Sequence, residues 1–111
     1  RLIVGVNGDQ SVKRLKGPAR PLVPELDRMR IVAALRCVDA VCLVTQTRMD
    51  QFIRAVRPTV WVKGGDYTVE SLDSDEVAAA REVGATIRIL PLLPGRSTSA
   101  LCSVINHVDK R

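Results

Sequence analysis

The chain has 111 residues, 46% of them hydrophobic and 26% charged, with a formal net charge of +5; that is enough for one hydrophobic core but not two, and too apolar for a disordered chain. Aromatic residues at 3% argue against the base-stacking platforms of single-strand binders, and no apolar run is long enough to cross a bilayer. A basic balance fits nucleic acid, a membrane surface or small phosphorylated ligands.

In chain order, Leu2-Ile3-Val4-Gly5-Val6 is a continuous apolar run that predicts a strand buried on both faces, ended by the turn residues Asn7-Gly8-Asp9. Arg1-Leu2 leads straight into that strand, so no signal peptide is expected. From Gln10 to Val23 the chain is basic and punctuated by Gly17, Pro18 and Pro21. Ser11 to Leu15 has helical character, and the second half reads as a loop of the length that often carries function. Pro24, Glu25 and Asp27 suit the start of a helix, with Leu26, Met29, Val32, Ala33 and Leu35 along one face through about Arg36. Val41 to Val44 is the next strand. Thr47 can cap a second helix with Met49, Phe52, Ile53 and Val56 on its apolar side, stopped by Pro58.

Val60-Trp61-Val62 then runs as a buried strand into Lys63-Gly64-Gly65-Asp66-Tyr67, which delivers polar groups to a sheet edge. Ser74 is a candidate cap for a helix through Val83, closed by Gly84. Thr86 to Leu90 is a fourth strand, and Ser97-Thr98-Ser99 opens a last helix with Leu101, Val104, Ile105 and Val108 as its stripe. Strands and helices alternate four times, the pattern of an α/β fold with a parallel sheet covered by helices, in one domain over residues 1–111.

Three groups of residues could carry chemistry. Gly95-Arg96-Ser97-Thr98-Ser99 at a helix start offers free N–H groups, hydroxyls and a guanidinium to an anion, or no more than an N-cap. Lys63 at a strand end can neutralise a phosphate beside the two glycines, with Asp66 accepting from a sugar hydroxyl or an amine; the alternative is a plain strand-turn with a salt-bridged Lys63. The Gly-x-x-x-x-Gly-Lys order of a Walker A loop is absent. Lys13, Arg14, Lys16 and Arg20, with Arg28 beyond, could fold over a triphosphate or stay a solvated loop, and their clustering favours a phosphate pocket over a broad nucleic-acid face. His107, the sole histidine, reads as surface or core packing. Cys37, Cys42 and Cys102 have no Cys-x-x-Cys spacing, so buried reduced thiols in a cytoplasmic protein are expected, without a metal site.

Together, Val6-Asn7, Asp9, Ser11-Val12-Lys13, Lys16-Gly17-Pro18, Arg20-Pro21, Arg28, Val62 to Tyr67 and Gly95 to Ser99 resemble the cytidylyltransferase-like nucleotidyltransferase superfamily. Within it the pattern is most similar to the adenylyltransferase domains of bifunctional heptose enzymes, the D-glycero-β-D-manno-heptose 1-phosphate adenylyltransferases. The resemblance implies a Rossmann-like open parallel sheet with helices on both faces, and transfer of AMP from ATP to a sugar 1-phosphate with release of pyrophosphate. It implies that Ser97, Thr98 and Ser99 hold the triphosphate and that Lys13 and Lys16 clamp phosphate. Lys63, Gly64, Gly65, Asp66 and Tyr67 would border nucleotide and acceptor, with Asn7, Asp9, Arg28 and Arg96 as further contacts. Mg2+ is implied with ATP, and a homodimer or a fused or partner kinase domain as the assembly, with neither nucleic acid nor membrane as partner.

One departure stands against these matches. The family's Gly-rich loop and His-x-Gly-His motif follow its first strand, and no such motif occurs here. By the resemblance the domain is N-terminally incomplete, lacking the central strand between Leu2–Val6 and Val60–Val62. The alternatives are a cytidylyltransferase for glycerol phosphate or a related alcohol phosphate, and a non-catalytic nucleotide- or phosphate-binding remnant. A second acidic residue is usual in the first of these where Gly65 stands.

Overall fold

The structure, a computed structural model, describes residues 1–65 and 67–108. Four strands, β1 (Ile3–Asn7), β2 (Ala40–Val44), β3 (Val60–Gly64) and β4 (Thr86–Leu90), alternate with five helices. The helices are α1 (Asp9–Lys16), α2 (Glu25–Ala33), α3 (Asp50–Val56), α4 (Ser74–Glu82) and α5 (Thr98–Val108), with one turn of 3₁₀ helix at Val69–Ser71. The α/β alternation predicted from the apolar runs is present, and every strand pairing is parallel.

The sheet is divided. β1 pairs with β2 from Ile3 opposite Ala40 to Asn7 opposite Val44, and β3 with β4 from Val60 opposite Thr86 to Gly64 opposite Leu90. The two pairs form separate two-stranded sheets. In a parallel strand the N–H and C=O of one residue point to the same side, and successive residues alternate. Leu2 O accepts from Ala40 N and Gly8 N donates to Val44 O, so Leu2, Val4, Val6 and Gly8 face β2. The backbone groups of Ile3, Gly5 and Asn7 therefore line the other edge. By the same test, with Thr59 O and Gly65 N bonded to β4, Val60, Val62 and Gly64 line the outer edge of β3.

The tightest packing lies around Ile53, Ala79 and Ala80, with Met49, Trp61, Val83, Ala85 and Ile87 against them. Residues of α3 and α4 thus close over one face of β3–β4. The apolar i, i+3, i+4, i+7 spacing in α3 puts Met49 and Ile53 on that side. Phe52 instead lies over β1, where a Cβ on Gly5 would come within 2.8 Å of its ring; glycine is required there by close approach.

Several expectations are corrected by burial. Val60, Val62 and Leu90 are exposed, because among the described residues nothing covers that face of β3–β4; the strand is buried on one face only. The α5 stripe of Leu101, Val104, Ile105 and Val108 is likewise exposed, and α2 has no fully buried residue. Cys37 is exposed and Cys42 and Cys102 are part-buried, all as free thiols. Two caps also shift by one or two residues: Met49 rather than Thr47 precedes α3, and Asp73 rather than Ser74 caps α4, its carboxylate accepting from Asp75 N and Glu76 N.

Candidate functional site

A cavity of about 500 Å³ opens at the carboxyl end of β1, within the range usual for small-molecule sites. Gly5, Val6 and Asn7 form its floor, and Val12, Leu15 and Lys16 of α1 one side. The Arg20–Val23 loop with Arg28, Ile31 and Val32 of α2 forms the other, and Thr98 of α5 closes it. Three cationic side chains from three segments thus share one cavity whose remaining wall is mostly apolar, with Asn7 and Thr98 as its further polar groups.

Local structure explains how each arrives. Gly8 precedes α1 as its N-cap in extended conformation, Asp9 stands in the first turn, and Gly17 (φ 95°) ends the helix so that Lys16 falls on its last turn. Ser11, fully buried, holds α1 down: its hydroxyl donates to Thr45 O (2.7 Å) and approaches Gln46 O (3.0 Å) beyond β2. Arg28 is fixed on both sides. Its Nη2 donates to Asp9 Oδ1 at 2.8 Å and its Nε to Val23 O at 2.9 Å, while the Glu25 carboxylate accepts from Asp9 N at 2.7 Å. Arg20 reaches across to α5, donating from Nη2 to Ser99 Oγ at 3.2 Å. Ser97 is an N-cap in fact, its Oγ accepting from Ala100 N at 3.0 Å.

The predicted residues therefore divide. Asn7, Lys16, Arg28 and Thr98 line the cavity, Asp9 orients Arg28, and Ser97 and Ser99 stand beside Thr98. Lys13 and Arg96 are exposed and do not line it. The β3 group lies elsewhere. Gly65 and Tyr67 line a second, open cavity of about 370 Å³ with Thr68, Ile89 and Pro91. Gly64 is exposed, and Asp66 lies outside the described residues. Gly65 has φ +139°, and a Cβ there would meet the Tyr67 ring at 2.7 Å, so any side chain at this position is strained on two counts.

Lys63 takes the salt-bridged form that the sequence left open. Its Nζ donates to Glu76 Oε2 at 2.9 Å and lies 5.9 Å from the Trp61 ring centroid and 5.2 Å from that of Tyr67. Glu76 was not legible as a site residue: at the third position after Asp73 it reads as a residue of the first turn of α4. The apolar wall of Leu22, Val23 and Ile31 was also missed: Leu22 and Val23 lie in a loop, and Ile31 falls off the α2 stripe read from the sequence, of which Val32 reaches the cavity. His107 is exposed on α5, with Nδ1 2.7 Å from Ser103 O.

Comparison with known proteins agrees with this architecture. The profile of the cytidylyltransferase-like family matches residues 1–103. Curated relatives named bifunctional protein HldE include one from Bradyrhizobium sp. (strain ORS 278), 46% identical over 91% of this chain and 20% of its own length. Another, from Hyphomonas neptunium, is 49% identical over 91% of the chain and 20% of its length. The chain thus spans about a fifth of these relatives. The crystal structure of the lipopolysaccharide core biosynthesis protein from Thermoplasma volcanium GSS1 superposes with a TM-score of 0.62 at 22% identity, covering 84% of this chain and 73% of that one, a likeness of fold.

Proposed function

The chain belongs to the cytidylyltransferase-like family, and from that premise we propose that it is an adenylyltransferase domain moving AMP from ATP to a sugar 1-phosphate of the heptose type. The observation that carries this reading is the convergence of Lys16, Arg20 and Arg28 on one cavity beside Thr98. In the reaction an oxygen of the sugar phosphate attacks the α-phosphorus of ATP. The bond from that phosphorus to the bridging oxygen breaks, and pyrophosphate departs with the electron pair. No protein nucleophile is needed; positioning and charge neutralisation carry the chemistry. Arg28, held by Asp9 and Val23 O, is pre-set to receive phosphate oxygens, and Lys16 and Arg20 add charge from α1 and the loop that follows it. Thr98 at the start of α5 offers a hydroxyl and neighbouring N–H groups to the triphosphate. Lys13, Arg96, Ser99, and Lys63 with Gly64 through Tyr67 are read as outer contacts to nucleotide and acceptor.

Magnesium is read as arriving with ATP. Among the described residues no group of three His, Cys, Asp or Glu side chains is placed to hold a metal, and the carboxylates nearest the cavity already serve Arg28 and the Asp9 amide. The reading places the ion on the triphosphate oxygens.

The open edges of β1 and β3 support reading the sheet as completed by one further parallel strand, supplied by a segment outside these 111 residues. The bifunctional name of the relatives and their fivefold greater length support reading the chain as one domain of a larger enzyme; a fused or partner kinase, a dimer and a cytoplasmic location belong to the same proposal. Isothermal titration with Mg-ATP and Mg-CTP, together with pyrophosphate release from ATP and a heptose 1-phosphate, tests the proposal. ATP binding favoured over CTP, without turnover by the 111-residue chain alone, is expected. Preference for CTP would move the reading to an alcohol-phosphate cytidylyltransferase, and no affinity for either would overturn it.

A further inference from the structure

Glu76 is the one carboxylate of the described residues that is almost wholly buried, at 2% exposed, and nothing in the phosphate cavity uses it. Both of its oxygens are engaged with different elements. Oε1 accepts from Met49 N at 2.9 Å, at the start of α3, and Oε2 accepts from Lys63 Nζ at 2.9 Å, at the carboxyl end of β3. Its own amide is bound by the Asp73 carboxylate at 3.2 Å. One side chain therefore ties the first turns of α3 and α4 to the last residues of β3. Burying a carboxylate is costly unless it is fully hydrogen-bonded and paired, and here the pairing fixes a particular lysine.

We propose that Glu76 is a positioning residue for Lys63, holding its ammonium between the Trp61 and Tyr67 rings beside the Gly64–Gly65 turn so that it presents a fixed positive charge to the phosphates of the bound nucleotide. This rests on the reading of the chain as a nucleotide-binding domain. Lys63 carries four rotatable carbons and three N–H donors. Left to itself the side chain would sample solvent; tethered through one donor and stacked against two rings, it keeps its place. The part of Lys63 that remains exposed, 27% of the side chain, is where an anion can reach it.

The test is a double-mutant cycle on Mg-ATP affinity, measured by isothermal titration with the 111-residue chain. The variants are Glu76→Gln, Lys63→Gln and the pair, each checked by thermal unfolding; Glu76→Gln keeps one acceptor oxygen for the two donors that the carboxylate serves. Each single change is expected to weaken binding about tenfold, the worth of a charge-assisted contact. The double variant is expected to be no weaker than either, because Glu76 acts through Lys63. Equal and additive losses would make Glu76 a structural residue and overturn the proposal, as would Lys63→Gln weakening binding while Glu76→Gln does not. If Lys63→Gln leaves affinity unchanged, Lys63 does not meet the nucleotide, and the proposal falls while the assignment of the β1 cavity stands. An unmutated chain with no affinity for ATP removes the nucleotide reading itself. Should a variant not fold, the ¹³C-methylated Lys63 resonance of the unmutated chain decides. A shift on ATP addition supports the contact, and none overturns it.

Discussion

Ser11 secures the helix that delivers Lys16, and its replacement by alanine measures how firmly. The residue is 0% exposed, and its single hydroxyl proton serves Thr45 O at 2.7 Å with Gln46 O at 3.0 Å. Ser11→Ala withdraws that donor and leaves a gap the size of one oxygen. Stranding a buried acceptor costs about 1–3 kcal/mol, and the better helix propensity of alanine returns about 0.5 kcal/mol. A net loss of about 1.5 kcal/mol is expected. Unfolding entropy near 2.1 cal/mol/K per residue converts this to a fall in Tm of about 6 °C for a chain of this length. Circular dichroism melting of both proteins reads the shift, and titration with Mg-ATP reads a severalfold loss of affinity as Lys16 loosens. A Tm within about 1 °C of the original would refute the account, because it would mean that the two carbonyls find water without penalty and that burial at Ser11 anchors nothing.

Arg28→Met removes the guanidinium that Asp9 and Val23 O hold in place and is expected to weaken Mg-ATP binding about tenfold or more; unchanged affinity in calorimetry would remove Arg28 from the site. Ser97→Ala deletes the N-cap of α5 at a cost of about 1 kcal/mol, visible as faster amide exchange at Ala100 and Leu101. Gly65→Ala meets both a positive φ and the Tyr67 ring, whereas Gly17→Ala meets only a positive φ with nothing within 4 Å; melting should show the first to be the more destabilising. Ile53→Ala, at 1% exposure in the tightest part of the core, is expected to cost about 2–5 kcal/mol, which urea unfolding can measure.

The elements that rest on local chemistry were legible. The apolar spacing of Met49, Phe52, Ile53 and Val56 falls on α3 and the residue that caps it, Thr86 to Leu90 is β4 to the residue, and the glycine-proline stretch after Lys16 is loop. α1 extends further than its sequence suggested, from Asp9 to Lys16, because Gly8 starts it earlier and an acidic residue favours its first turn. Cap positions slipped where two suitable side chains adjoin, as with Asp73 and Ser74. Pairings across the chain could not be read: Asp9 with Arg28 is a choice among many neighbouring charges, and Glu76 meets Lys63 only because α4 docks against β3. The exposed faces of β3 and α5 were invisible for a different reason. An apolar stripe specifies that something must cover it, but not that the covering element lies within the same residues.

The role of α3 has a consequence for how the molecule comes apart. Phe52 rests on Gly5 of β1, while Ile53, one residue on, joins Ala79 and Ala80 beneath β3–β4, and among the described residues no strand hydrogen bond links the two sheets. Packing between the halves then runs through α3 with Met49 ahead of it, which meets both Gly5 and the Ile53 cluster, and through the Arg20–Ser99 contact to α5, a thin coupling for a domain of this size. Sub-global opening is the natural result. The β1–β2 half can release its packing against Phe52 while the Ile53 cluster stays intact, and hydrogen exchange would register two plateaus of protection rather than one. Since the basic cavity belongs to the first half and the Lys63–Glu76 pair to the second, a nucleotide touching both would act as a staple, raising the lower plateau toward the higher.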